Sequence, residues 1–154
     1  MKKLIVFLFV VLMTTPVAAQ FALKGGVSYA KNELSNYVVT GQFYKNLLVL
    51  SADMFIPTQK PHEISGAGRI GLGIESYRIR FAGDIGATYE NKNWRCGCGV
   101  EANFRLYGPI GIFARWSRTF PIEKEDDHNE IIWKDGRSEI SLGIVIDLTK
   151  GRCY

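Results

Sequence analysis

From residue 21 onward the chain alternates apolar and polar positions with a period of two, the repeat of a strand with one apolar face. In 21–29, Phe21, Leu23, Gly25, Val27 and Tyr29 oppose Ala22, Lys24, Gly26 and Ser28. In 36–44, Tyr37, Val39, Gly41 and Phe43 oppose Val38, Thr40, Gln42 and Tyr44. Leu48, Leu50, Ala52, Met54 and Ile56 oppose Val49, Ser51, Asp53 and Phe55, and Ile70, Leu72 and Ile74 oppose Arg69, Gly71, Gly73 and Glu75. The second half is cleaner: in 138–148, Ile140, Leu142, Ile144, Ile146 and Leu148 oppose Glu139, Ser141, Gly143, Val145 and Asp147. The pattern predicts an all-β chain of eight strands, over 21–29, 36–44, 47–56, 68–75, 77–90, 94–106, 110–120 and 138–148, and no helix.

The connections tend to alternate in length. Segments 30–35, 57–67, 91–93 and 121–137 fall at one end, with 91–93 the short exception. Tight turns at Lys45-Asn46, Ser76 and Tyr107-Gly108-Pro109 fall at the other. An even strand number with this asymmetry predicts an antiparallel up-and-down barrel.

Residues 1–19 read differently. Lys2 and Lys3 precede a ten-residue apolar run, LIVFLFVVLM, and Val17-Ala18-Ala19 supplies small residues before Gln20. This is the three-part pattern of a secretory signal peptide, with cleavage expected before Gln20. The run is short of the roughly 20 apolar residues a spanning helix needs. No cysteine follows it before Cys96, so no lipoprotein anchor is expected. The 154 residues carry 19 Lys and Arg against 15 Asp and Glu, a formal charge of +4. Without Lys2 and Lys3 the excess falls to +2, too little for the cationic patch that nucleic-acid binding requires.

Alternation leaves open which face is inside. A soluble barrel that binds an apolar ligand alternates too, with its apolar face inward. Three features favour the inverse, a transmembrane barrel. Gly26, Gly71, Gly73, Gly86, Gly97, Gly99, Gly111 and Gly143 all lie on the polar face, where a narrow lumen needs small residues between long ones. The long polar residues of that face balance: Lys24, Arg69, Arg78, Arg80, Arg95, Arg105 and Arg115 against Asp53, Glu75, Asp84, Glu90, Glu101, Glu139 and Asp147. A shielded lumen must pair its charges, because a buried lone charge is costly. For Arg80, Asp84 and Glu101 are the expected counter-charges. Finally, aromatics bracket the apolar face: Phe21 and Tyr29, Tyr77 and Tyr89, with Tyr37, Phe43, Trp94, Phe104 and Trp116 completing an expected aromatic belt. At about 3.3 Å per residue and roughly 40° tilt, the first two spans project to ~20 and ~30 Å, bracketing an apolar band of roughly 25 Å.

On strand count and pattern, over 21–148, the chain resembles the small eight-stranded outer-membrane β-barrels of the OmpX and OmpA-transmembrane type. The resemblance implies a signal peptide over 1–19 and an outer-membrane barrel domain over 20–154. It further implies a monomer embedded in the bacterial outer membrane of a Gram-negative cell, among lipid and lipopolysaccharide. The expected role is structural or interactive, in envelope integrity, adhesion to an envelope or host surface protein, or support of a larger complex. No peptidoglycan-binding segment is expected after residue 148. A lipid A-modifying enzyme of the same architecture and a soluble periplasmic ligand-binding barrel are the alternatives.

Candidate chemistry is sparse. His62 and His128 both fall in loops. His128, after Asp126 and Asp127, is the candidate base of the enzyme reading, with Ser117 or Ser138 as nucleophile. In 121–137, Glu123, Glu125, Asp126, Asp127, Glu130 and Asp135 are candidate divalent-ion ligands, but their spacing matches no EF-hand. A solvated loop is the expectation for all of these. Ile131, Ile132 and Trp133 are candidates to extend a hairpin. Cys96 and Cys98 share one face of one strand, roughly 7 Å apart and too far for an easy disulfide, and are read as small lipid-facing residues. Cys153 is a free or intermolecular thiol. No catalytic residue, metal or cofactor is assigned.

Overall fold

The computed structural model describes residues 19–31, 33–90, 92–125, 128–131 and 135–149. The expected export signal (apart from Ala19), Asp126, Asp127, Ile132, Trp133 and Cys153 lie outside them. The described chain forms β1 (Gln20–Ala30), β2 (Glu33–Lys45), β3 (Leu48–Pro57), β4 (Ser65–Glu75), β5 (Ile79–Glu90), β6 (Asn93–Tyr107), β7 (Ile110–Glu125), β8 (His128–Ile131) and β9 (Arg137–Asp147).

Every strand pairs antiparallel with its neighbour, and β9 pairs with both β7 and β1. The eight long strands therefore close into a barrel. Closure removes the exposed edges that an open sheet would leave. Hydrogen-bonded neighbours run from Gln20 through Tyr44, Val49, Gly71, Asp84, Gly99 and Ser117 to Glu139. Glu139 adjoins the Ile140–Tyr29 pair, so the path returns to β1 near Ala30. This stagger, about ten residues, sets a strand tilt of roughly 40° for eight strands.

The strands run further than the alternation predicts at the loop end. Segment 30–35 is not a loop: β1 and β2 continue to an Ala30–Glu33 pair. β7 continues through Pro121 to Glu125 and pairs there with an additional short strand, β8, in a ribbon that includes Ile131. At the other end the fifth strand starts at Ile79, not at residue 77, so Tyr77 and Arg78 lie in the turn. Left-handed backbone at Asn46 and Gly108 closes two of the short connections, at residues that tolerate it.

Candidate functional site

The interior is built by the inward half of each strand. Its charged groups fall into three tiers, each with equal numbers of cations and anions. At the short-turn end Arg80 contacts Glu75 at 3.1 Å and Asp147 at 3.7 Å, and Arg105 contacts the same two carboxylates at 3.5 and 3.3 Å. Gln20 accepts a further bond from Arg80 at 2.7 Å, and the Arg80 guanidinium lies 3.7 Å above the Tyr44 ring.

The middle tier holds Lys24 paired with Glu101, Arg69 paired with Asp53, and Arg115 paired with Asp84. Arg115 donates to both Asp84 oxygens, at 2.5 and 2.6 Å. Thr40 donates to Asp53 at 2.5 Å, and Asn103 and Gln42 donate to Glu101 at 2.8 and 3.3 Å. Lys24 is only 1% exposed and Glu101 4%. Burial of this depth is tolerable only where charges are paired and their remaining sites bonded.

The upper tier, at the loop end, joins Arg137 to Glu139 at 2.7 Å and to Glu90 at 3.4 Å. Arg137 also donates to Ser35 at 2.5 Å. Arg95 donates to Thr119 and to the Asp135 carbonyl, each at 3.3 Å.

Two corrections follow. Arg78 shares the parity of Arg80 but sits in the turn, exposed, with its guanidinium 5.6 Å from the Tyr77 ring. It is not part of the interior. Arg137, which the sequence pattern placed at a loop end, takes its place and keeps the interior balance at seven against seven. Nor does Arg80 pair with Asp84 or Glu101: strand stagger carries those two up to Arg115 and Lys24.

Between the lower and middle tiers the interior is largely apolar. Ala22, Tyr44, Val49, Ala82 and Val145 form a buried apolar cluster, with Val49 1% exposed. Alternation could not separate these from the polar positions of the same face. Above the middle tier a cavity of about 40 Å³ is bordered by Arg69, Arg115, Ser117 and Glu139. The Nε atoms of Arg69 and Arg115 are buried without a protein partner, and the space suits a few water molecules.

The inward glycines make room for this filling. A Cβ on Gly99 would fall 2.9 Å from the Arg115 Cζ, and one on Gly73 2.9 Å from the Val49 side chain. On Gly71, Gly86, Gly26 and Gly143 it would run into the neighbouring strand's backbone. The outward glycines Gly25, Gly41 and Gly68 have open space at the same position.

The outer wall is apolar. Leu72 is 68% exposed, Ile85 65% and Ile144 56%. Phe21, Phe43, Tyr77 and Phe104 stand towards the short-turn end, and Tyr29, Tyr37, Tyr89 and Trp94 towards the loop end. Trp116 lies lower on the wall, between the two groups, beside Val100 and Ile140. Cys96 and Cys98 also face outward on β6, and neither forms a disulfide.

The enzyme constellation does not assemble among the described side chains. Ser117 pairs in register with Glu139 and faces inward, whereas Ser138 pairs with Arg118 and faces outward. His62 is exposed in the β3–β4 loop. The side chains of His128, Glu123, Glu125, Asp126, Asp127 and Glu130 lie outside the described set. Among the described residues, no group of three His, Cys, Asp or Glu side chains is placed to hold a metal ion.

Comparison with known proteins gives a likeness of fold. A barrel from the de novo design of transmembrane β-barrels superimposes with a TM-score of 0.58 at 12% identity, covering 88% of this chain and 98% of that one. Neisserial surface protein A superimposes with a TM-score of 0.38 at 10% identity, covering 83% and 94%. No family model and no curated protein matches the chain. The fold is a closed eight-stranded antiparallel barrel similar to a designed transmembrane barrel.

Proposed function

We propose that this chain is a small outer-membrane barrel of a Gram-negative envelope, of the OmpX and OmpA-transmembrane type. In this reading it is a monomer with a filled, charge-paired lumen and a structural or interaction role. Integrity of the membrane, adhesion, or support of an envelope complex are the roles such a barrel can serve without an internal channel or active site. One observation carries the reading: the polarity is inverted. Isoleucine, leucine and valine cover the outside while Lys24, Asp53, Asp84, Glu101 and Arg115 are buried within. A water-soluble barrel would gain by the opposite arrangement, since burying apolar area is worth about 25 cal/mol per Å². The interior also argues against an apolar ligand site, because ion pairs and a small cavity occupy the place such a ligand would need.

The aromatic rings at the two ends of the wall fit interfacial belts around an apolar band. The short-turn end would then face the periplasm and the loop end the outside.

Membrane fractionation and gel mobility with and without boiling test the reading. The chain is expected in the outer-membrane fraction and to migrate differently unboiled, as SDS-resistant folded barrels do. Recovery in the soluble periplasm contradicts it. Lipid A mass spectra with and without the gene test the enzyme alternative; unchanged spectra are expected.

A further inference from the structure

Among the described strand residues, the outer wall carries one charged side chain between its two aromatic ends: Arg118 of β7. It is exposed, and within the described residues it forms no ion pair or side-chain hydrogen bond; its guanidinium carbon lies 5.3 Å from the centre of the Phe120 ring. Phe120 is buried although it faces outward, and the glycine across from it, Gly136, leaves the space that both side chains occupy. Directly across the β7–β9 ladder from Arg118 stands Ser138, one of the few polar residues of the same wall. The two side chains thus make a small donor patch in an apolar surface, with the guanidinium beside the Phe120 ring.

The height of the patch matters. Arg118 lies eight residues into β7 from Ile110. At about 3.3 Å per residue and roughly 40° tilt it stands ~20 Å above the short-turn end, near the upper limit of a 25 Å apolar band. A bare cation is costly at the bilayer midplane and tolerated near the interface, where a long side chain reaches the headgroups. The interior cations are matched in number by carboxylates in each tier; among the described residues of the wall, Arg118 has no such match. Planar guanidinium groups bind phosphate through paired, charge-assisted hydrogen bonds.

We propose that Arg118, with Ser138 beside it, binds the phosphate of a lipid headgroup in the leaflet at the loop end, which in the proposed orientation is the phosphorylated glycolipid of the outer leaflet. This rests on the membrane reading given above. Phe120 sets the orientation of the guanidinium, and Ser138 supplies a hydroxyl donor to a further phosphate oxygen.

The test uses the detergent-purified barrel and diphosphoryl lipid A, with retained lipid counted by native mass spectrometry. Vesicle insertion of the same preparations is scored in parallel. Arg118→Gln is expected to weaken retention about tenfold or more, the scale of a lost charge-assisted bond. Arg118→Lys should keep part of it, and Lys60→Gln, an equal charge loss in the β3–β4 loop, should keep all of it. Lipid A stripped of phosphate should load the wild type poorly. Equal retention by wild type and Arg118→Gln, or equal loading of phosphate-free lipid A, in a chain that inserts normally overturns this site alone. A wild-type chain that does not insert into vesicles overturns the membrane reading and the site with it.

Discussion

Arg115 and Asp84, thirty-one residues apart, meet across the barrel through two parallel contacts of 2.5 and 2.6 Å. Both side chains are almost fully buried. The geometry is the forked guanidinium–carboxylate pair, which fixes orientation as well as charge. Removing the cation alone would leave the Asp84 carboxylate bare in the interior, whereas Glu101 would keep Lys24. Arg115→Met is therefore expected to destabilise the barrel by about 3–5 kcal/mol, less where water reaches the site. Adding Asp84→Asn should recover much of that loss. Urea unfolding in vesicles, followed by tryptophan fluorescence, measures both; a single variant as stable as wild type contradicts the pairing.

Adjacent glycines should behave oppositely. Gly143 faces inward against Gly26, and a Cβ there would press on the β1 backbone and, at 2.8 Å, on the Phe113 ring. Gly25, one place along β1 and facing out, has nothing within 4 Å. Gly143→Ala should lower stability by about 1–3 kcal/mol through overpacking. Gly25→Ala should be neutral or stabilise by about 0.4–1 kcal/mol by restricting the unfolded chain. The same unfolding assay compares them, and a reversed order contradicts the packing described.

Much of this was legible in the alternation. Ile140, Leu142, Ile144 and Ile146 declare one face of β9 at sight, and closure of eight such strands follows from their even number and short turns. The pattern fades where β1, β2 and β7 rise past the apolar wall. There both faces are polar in sequence, so Glu33 and Glu125 look like loop residues while the ladder continues through them. The inward charges were identifiable by parity, but their partners were not. Lys24 and Glu101 are seventy-seven residues apart, and only register and stagger bring them together. Arg78 has the right parity and the wrong place, one residue below the start of β5. Val49 and Val145 sit on the polar face, where alternation gives no hint that they form a buried apolar cluster.

That buried apolar layer predicts a closed interior. Ala22, Tyr44, Val49, Ala82 and Val145 are buried together between the lower and middle tiers, with equal numbers of cations and anions on either side. Ions crossing it would shed water without a polar replacement, at high cost. Planar-bilayer recordings of the purified wild type should show no stable, large conductance. A steady open channel would mean that the interior is not filled as described.

The central claim is that the apolar face of the barrel meets lipid and the charged face does not. Spin labels at two positions of β9, in a cysteine-free background refolded into vesicles, test it most directly. Ile144 faces outward near mid-wall, and Ser141, 4% exposed, faces the interior. A label at 144 should be strongly relaxed by oxygen dissolved in the bilayer, and a label at 141 should be shielded from it. Bilayer-oxygen access at 141 with shielding at 144, or aqueous-relaxant access at 144, would contradict the account.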